Sequence, residues 1–347
     1  MKQAGFFGVE DALAKLSRLG DPLEKLHFID WEMFRPLLQQ ALKRDNGPKR
    51  GRPAFDCVMM FKLLVLRRLN NLGDDQMEYQ VNDRLSYRRF LGLTIDDRVP
   101  DAKTIWLFRD NLSKTGAADK LFRMFVGLLE DRGLVTHEGT IVDATFVEAP
   151  RQRNTRDQNR AIKQGKVPAE WQDGTEKSRH RLPQKDVDAR WAKKGGQTFY
   201  GYKDHVKVDA ASKFVTDYRV SSAEVHDSRH CSEFIVDGKD RRLFADSAYS
   251  SAEIAEKLPK SVENMVHEKG YRDHPLTEAQ KESNRRKSRT RARVEHVFGF
   301  MTGAMHGITV RCVGTRRARF DIGLTNLVYN MCRYSYLLGR MCRYEVA

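Results

Sequence analysis

The sequence predicts an α+β fold, in which a helical N-terminal region precedes a mixed sheet flanked by helices. In the first third of the chain, apolar residues recur at a spacing of three to four, which is typical of helices. From about residue 136 the pattern changes to short β-branched and aromatic runs, which are typical of strands. After residue 225 helix and strand patterns alternate, so the sheet should be mixed.

Residues 1–45 are predicted to form an N-terminal helical segment, with Leu13, Leu16 and Trp31 among its apolar positions. A polar, turn-rich stretch follows, and it contains Arg50 and Arg52 on either side of a glycine. This Arg-Gly-Arg-Pro sequence resembles short arms that enter the minor groove of DNA. A solvated linker is the alternative interpretation.

Residues 46–135 are predicted to form a second helical domain. The helix expected at 56–72 is apolar almost all round, which indicates the centre of a small bundle. Further helices are expected at 74–91 and 101–129, and exposed arginines favour a helix-turn-helix-like domain that binds DNA ends. A purely structural bundle is the alternative. The arginines expected to be exposed are Arg67, Arg68, Arg84, Arg88, Arg89 and Arg109.

Asp143 lies inside the apolar run 141–146, which suits a buried strand. A carboxylate there is costly to desolvate unless it is paired, hydrogen-bonded or bound to a cation. Two later acids are candidate partners: Asp246, which follows the short apolar run 243–245, and Glu295, which lies in a helical pattern. We expect these three carboxylates to meet. Ordinary structural roles are the alternatives, namely a cap or ion pair for each Asp and a pair with Arg291 for Glu295.

The remaining elements of the region 136–340 follow from the same patterns. Residues 151–197 are basic and lack apolar periodicity, which indicates a mobile insertion. Its Trp171 and Trp191 either anchor it to the protein body or stack on bases, and we favour the anchor. Strands are expected at 199–209, 214–220, 243–245 and 262–266, and helices at 225–236, 250–257, 277–295 and 320–338.

Composition limits the classes of protein and of partner. With 40% hydrophobic residues the chain can fill a core, and no apolar run is long enough for a membrane span or a signal peptide. Five cysteines without a CxxC pair favour reduced thiols, so we expect a cytoplasmic protein. A formal charge of +15 favours a polyanionic partner such as nucleic acid, with simple solubility as the alternative.

Three carboxylates can supply the oxygen ligands that hard divalent cations prefer. Two such ions stabilise both the attacking and the leaving oxygen of an in-line phosphoryl displacement, so no His or Cys nucleophile is required. The spacing of His226 and His230 invites a zinc site, but no third ligand is evident and we reject it. Glu148 and Asp217 are the acids most easily mistaken for members of the catalytic set.

Four motifs together resemble the DDE transposases of bacterial insertion sequences, specifically the insertion-sequence-five family. They are residues 141–150, 201–203, 244–249 and 291–299, and the helical region 49–109 is similar to that family's end-recognition region. The resemblance implies a ribonuclease H-like core in which Asp143, Asp246 and Glu295 bind Mg²⁺ or Mn²⁺, with two ions expected. It implies cleavage by metal-activated water and attack of the 3′-hydroxyl on target DNA.

The expected partners are the terminal inverted repeats and target DNA, bound by a homodimer or higher multimer in the bacterial nucleoid. The family's signature around the Glu places Tyr and Arg before it and Lys after it. Arg291 matches as a DNA-phosphate contact, whereas Ser288 and Thr302 stand where Tyr and Lys would be. Arg286, Lys287 and Arg289 could compensate. The rival functions are a metal-dependent nuclease without strand transfer and a DNA-binding regulator with an inactive site.

Overall fold

The computed structural model describes residues 8–42 and 53–345, and the chain divides into two compact units. One unit comprises Met1–Leu121 together with Leu327–Ala347, and the other comprises Phe122–Asn326. The boundaries expected from the sequence, near residues 45 and 135, stay predictions. Within the described ranges, no helix combines the length and the apolar character that a membrane crossing requires.

The first unit is built around α3 (Cys57–Leu69). Phe61, Leu63 and Leu66 on this helix are fully buried, which confirms the expectation of an apolar helix at the centre of a bundle. Asp56 begins the helix, because its carboxylate accepts hydrogen bonds from two backbone N–H groups of the first turn. The neighbouring helices are α1 (Gly8–Arg18), α2 (Arg35–Leu42), α4 (Asp74–Asp83), α5 (Leu85–Leu91) and α6 (Ala102–Lys114).

Most of the arginines expected on the surface of this bundle are not exposed there. Asp74 accepts from both Arg67 and Arg109, at 2.7 and 2.8 Å, and both arginine side chains are buried. Arg88 is buried and donates to the backbone carbonyl of Thr94. The expectation of an exposed arginine face is therefore wrong for these residues and for the buried Arg68, since paired arginines can be internal. Arg84 is exposed.

The second unit contains a six-stranded mixed sheet, which confirms the predicted fold class. Strands β4, β3 and β1 form an antiparallel set, and β5 and β6 continue it from β1 as parallel neighbours. The additional strand β2 pairs with the first part of β3. The first turn of α7 and the larger part of α14 belong to the first unit. In chain order the elements after α6 are α7 (Ala117–Asp131), β1 (Thr140–Glu148), α8 (Arg156–Lys163), α9 (Glu176–Arg181), β2 (Arg190–Lys194), β3 (Gln197–Asp209), β4 (Val215–Ser222), α10 (Cys231–Phe234), β5 (Arg242–Phe244), α11 (Ala252–Lys257), β6 (Glu263–Asn264), α12 (Glu278–Arg291), α13 (Arg293–Thr302) and α14 (Thr315–Glu345).

The segment predicted as a mobile insertion contains regular structure. A capping box between Thr155 and Gln158 begins α8, and Trp171 is only 1% exposed. The anchor interpretation is thus confirmed for Trp171, whereas Trp191 on β2 is 44% exposed. The helices of this segment are too short for apolar periodicity to reveal them.

Two helices differ from their expected extent. The helix expected at 225–236 is a 3₁₀ turn, Asp227–His230, followed by the single turn of α10. The basic helix expected to continue to residue 295 ends at Arg291, and Ala292 separates α12 from α13.

Candidate active site

Asp143 is positioned by β1, a central strand of the sheet. β1 pairs with β3 on one side and with β5 on the other. In the β1–β3 pair, Asp143 lies opposite Val206. Its side chain is 15% exposed, and its Oδ1 accepts a hydrogen bond of 2.8 Å from the backbone N–H of Ala144. Burial raises the pKa of Asp143 to about 6, although the Ala144 N–H and Arg291 oppose the rise. Asp143 is therefore an incompletely compensated carboxylate.

Asp246 follows β5, the parallel neighbour of β1, and is half-buried. Its Oδ1 accepts a hydrogen bond of 2.8 Å from the backbone N–H of Ala248, which begins a 3₁₀ turn at Ser247–Tyr249. This cap fixes the direction of the carboxylate. The negative charge of Asp246 contributes to the raised pKa of Asp143, so the two carboxylates are electrostatic neighbours.

Glu295 reaches the same region through Arg291. The Nη1 of Arg291 lies 3.3 Å from the Oδ2 of Asp143, and its Nη2 lies 2.9 Å from the Oε1 of Glu295. One guanidinium thus bridges two of the three predicted catalytic acids, and the third adjoins Asp143. The Glu295 side chain is 61% exposed, so it is the least constrained of the three. The assignment of these acids as catalytic stays a prediction.

The donor set suits a hard divalent cation in its chemistry. Asp143 and Asp246 lie two residues beyond Ile141 and Phe244, respectively, which are paired on neighbouring parallel strands, and the buried charge of Asp143 needs further compensation. In the described part of the chain, however, no group of three or more His, Cys, Asp or Glu side chains is close enough to hold a metal ion. The Arg291 guanidinium supplies the positive charge between Asp143 and Glu295 instead.

The basic residues predicted to contact DNA fall into different environments. Arg286 and Arg289 on α12 are exposed. Lys287 is 11% exposed at its side chain and donates to the backbone carbonyl of Val266 at 3.0 Å. Arg50 and Arg52 lie outside the described residues.

The two positions that depart from the family signature have local partners. The Oγ of Ser288 lies 3.2 Å from the Nε2 of His267. The hydroxyl of Thr302 donates to the carbonyl of Phe298 in its own helix at 2.9 Å. Ser288 therefore joins α12 to the loop after β6.

The other acids and histidines considered from the sequence have neighbours of their own. Asp217 pairs with Arg219 at 2.7 Å, and Glu148 is exposed at the end of β1. His226 caps the 3₁₀ turn at Asp227–His230, and the Nδ1 of His230 lies 2.9 Å from Glu233.

Near Asp143 lie Tyr249 and two lysines that had no assigned role from the sequence, together with Asp227, for which an approach to the metal site or DNA was expected. Tyr249 is almost fully buried, and its pKa is raised well above the ordinary value by burial and then by nearby negative charges, which include Asp143, Asp227 and Asp246. Asp227 in turn pairs with Lys203 at 2.7 Å and with Lys194 at 3.1 Å. In the sequence, Asp227 lies beside His226 and Lys203 lies in the 201–203 motif, but nothing in these patterns indicates that the two side chains pair.

Two protein-family models match this chain. A model described as "Transposase DDE domain" matches residues 135–331, which is more than half of the chain. A model described as "Transposase domain (DUF772)" matches residues 11–111. Among solved structures, the chain is similar to a cryo-EM structure of the piggyBac transposase synaptic complex with hairpin DNA. The sequence identity is 13% and the TM-score 0.44, over 94% of this chain and 77% of that chain.

Proposed function

The chain belongs to the DDE transposase family, and from this premise we propose that it moves an insertion sequence of the insertion-sequence-five type. It binds the terminal inverted repeats of its own element, cleaves the DNA with metal-activated water and joins the freed 3′-hydroxyl to target DNA by transesterification. The observation that carries this proposal is the bridge from Asp143 through Arg291 to Glu295, with Asp246 beside Asp143.

Asp143, Asp246 and Glu295 are the residues that would hold divalent cations. Two ions are expected, either Mg²⁺ or Mn²⁺. Such ions, when bound, activate water and stabilise the charge that develops on the phosphoryl oxygens. Asp143 provides a carboxylate that is ionised at neutral pH, because its pKa of about 6 lies below 7. Asp246 is held in direction by its backbone hydrogen bond, and the exposed Glu295 can adjust its position.

Arg291 has two successive partners in this proposal. Without DNA its guanidinium neutralises part of the charge on Asp143 and Glu295. Beside DNA it contacts a phosphate, because a guanidinium donates two parallel hydrogen bonds to phosphate oxygens. The exposed Arg286 and Arg289 on the same helix extend the positive surface, and Arg50 and Arg52 are proposed to contact the DNA ends.

Recognition of the ends is assigned to the helical region 46–135. Two ends must be brought together before they are joined to one target, so the active species is proposed to be a homodimer or higher multimer. The formal charge of +15 favours this binding, since neutralised phosphates release counterions. Retained binding to the ends by catalytically inactive variants would support this division of labour.

The test uses a supercoiled plasmid that carries the two terminal repeats, with purified protein and Mg²⁺. Asp143→Asn, Asp246→Asn and Glu295→Gln should each abolish both cleavage and joining. Asp217→Asn is the matched control, because Asp217 pairs with Arg219 on β4, and it should leave both reactions intact.

Three other outcomes would contradict the proposal. Cleavage at the ends by the wild-type protein, with no joined products, would favour a nuclease. Binding of the ends without any cleavage would favour a DNA-binding regulator with an inactive site. Equal activity of the wild-type protein and the three carboxylate variants would remove the catalytic assignment.

A further inference from the structure

The hairpin formed by β2 and β3 has a sharply defined tip. Lys194 pairs with Gln197 across the hairpin, and only Gly195 and Gly196 lie between them. Both glycines have positive φ, 57° and 80°, which a two-residue turn with the twist of the flanking strands requires. Lys194 is therefore held at the last strand position before a tight turn, rather than on a long loop.

Asp227 holds this tip by one of its two carboxylate oxygens. The Nζ of Lys194 lies 3.1 Å from the Oδ2 of Asp227, and the Nζ of Lys203 lies 2.7 Å from its Oδ1. Although burial raises the pKa of Asp227, Lys203 and Lys194 oppose this effect and hold the pKa below the ordinary value. Asp227 is consequently ionised, and it is shared between two cations.

Of the two lysines that pair with Asp227, Lys203 is the buried one, and its role is structural. Its side chain is 9% exposed, its Nζ donates to the carbonyl of Val225 at 2.6 Å, and it lies over the ring of Phe146, 5.0 Å from the centroid. Phe146 in turn stacks on Phe199 of β3. Lys203 alone can balance the charge of Asp227, so the positive charge of Lys194 is additional.

Lys194 is available to solvent and close to the candidate active site. Its side chain is 58% exposed, whereas that of Asp227 is 11% exposed. The 3₁₀ turn Asp227–His230 packs against the 3₁₀ turn Ser247–Tyr249, which Asp246 caps. In addition, the charge of Lys194 acts on Asp143. An ammonium group has three donors, so the group that binds Asp227 keeps others for a second anion. An exposed ion pair without further function is the alternative.

We propose that Lys194 contacts the DNA phosphate at the position where the strand is cut, and that Asp227 is the positioning residue that holds the hairpin tip there. This inference rests on the proposed function, because it names a further DNA contact of the same site. It assigns a role to the end of the basic insertion: a positive charge that reaches the acids from the β2–β3 hairpin, independently of Arg291 on α12.

The first test measures the position of the hairpin without DNA or metal. Hydrogen–deuterium exchange of the peptide that spans 190–200 is compared in the wild-type protein, Asp227→Asn, Lys194→Gln and the control Lys193→Gln. Successive strand residues point to opposite faces, so the control removes the same charge from the other face. Exchange should rise severalfold in Asp227→Asn and Lys194→Gln but not in Lys193→Gln. Equal exchange in all four proteins would overturn the positioning role of Asp227.

The second test measures the DNA contact without catalysis. Binding to a fluorescent duplex that ends in the element's terminal repeat is followed against salt concentration in buffer with EDTA. Lys194→Gln should reduce the slope of log affinity against log salt by about one, the value for one lost phosphate contact, and Lys193→Gln should not. An unchanged slope for Lys194→Gln would overturn the phosphate contact.

The two proposals can fail separately. If the wild-type protein does not cut the plasmid-borne ends in Mg²⁺, the proposed transposition fails, while the salt slope in EDTA still decides whether Lys194 contacts phosphate. If the wild-type protein cuts and joins but the Lys194→Gln slope is unchanged, only the further inference is wrong.

Discussion

Asp143→Asn should stabilise the metal-free protein at neutral pH, even though it removes a proposed catalytic group. The ionised carboxylate is buried, and the single guanidinium of Arg291 at 3.3 Å compensates it incompletely. A neutral amide of the same shape avoids that desolvation cost and keeps the oxygen that accepts from the Ala144 N–H. Activity and stability are therefore expected to change in opposite directions at this position.

The magnitude follows from the pKa of Asp143, which rises from 3.8 to about 6. Two pH units correspond to about 3 kcal/mol of destabilisation by the charged form at neutral pH. In the variant, the amide NH₂ replaces the oxygen that faces Arg291, so two hydrogen-bond donors face each other. This lowers the free energy of unfolding by about 1 kcal/mol. The variant should therefore be more stable by about 2 kcal/mol, or about 4–8 °C in the melting temperature of a unit of this size.

The pH dependence has a definite sign. The folded-state pKa of Asp143 lies above the unfolded-state pKa, so its contribution to stability is fully present below about pH 4 and is lost as the pH rises through about 6. The advantage of Asp143→Asn should therefore be largest above about pH 7 and only about a third as large near about pH 5, because the cost of the amide donor does not change with pH.

Urea denaturation in EDTA at these two pH values, followed by circular dichroism, measures the difference in the free energy of unfolding. Asp217→Asn is the control, because Asp217 is partly exposed and has its own partner, Arg219. An Asp143→Asn variant that is less stable than the wild-type protein at both pH values would refute the reasoning. The assay should also show whether the two units unfold together, since a single free energy requires one transition.

Further predictions concern the metal, the bridge and the fold. Mg²⁺ should raise the melting temperature of the wild-type protein but not of Asp143→Asn, and equal shifts would contradict the metal site. Arg291→Gln should lower the salt slope of DNA binding by about one and weaken end cleavage in the plasmid assay; an unchanged slope would argue against a phosphate contact. Gly201→Ala should destabilise strongly in urea, because φ is +147° and the new Cβ would lie 2.2 Å from the carbonyl oxygen of Val147. Lys207→Met should lower the free energy of unfolding in urea by about 3–5 kcal/mol, because it leaves the fully buried Asp240 carboxylate without its 2.6 Å partner. A decrease of less than about 1 kcal/mol would contradict this prediction.

The central strands could be predicted because their local pattern is strong. Alternation over 199–209 and 214–220 and the turn between them correspond to β3 and β4, and the apolar run around Asp143 corresponds to β1. The environment of the arginines could not be predicted in this way. Asp74 follows Arg67 by seven residues and precedes Arg109 by 35, and no periodicity in the chain indicates that one carboxylate binds both.

The candidate site was predictable in part. The cost of burying Asp143 indicated that a partner was needed, and the motif order suggested Asp246 and Glu295, which the structure places near Asp143 directly or through Arg291. The break at Ala292 was not predictable, because the basic pattern continues through it.

The pairing of Lys194 with Asp227 could not be predicted from the sequence either. The two residues are 33 positions apart and meet only because β4 returns the chain along β3. Contacts between elements depend on tertiary packing, whereas sequence periodicity reports only on the elements themselves.

The most direct test of the central claim is the frequency with which a marked copy of the element moves in cells that supply the protein in trans. Wild-type protein and Asp217→Asn should support movement at equal frequency. Asp143→Asn, Asp246→Asn and Glu295→Gln should each reduce movement to the background seen without protein, at equal protein levels. Movement at the wild-type frequency with any of these three variants would contradict the assignment of that carboxylate to catalysis.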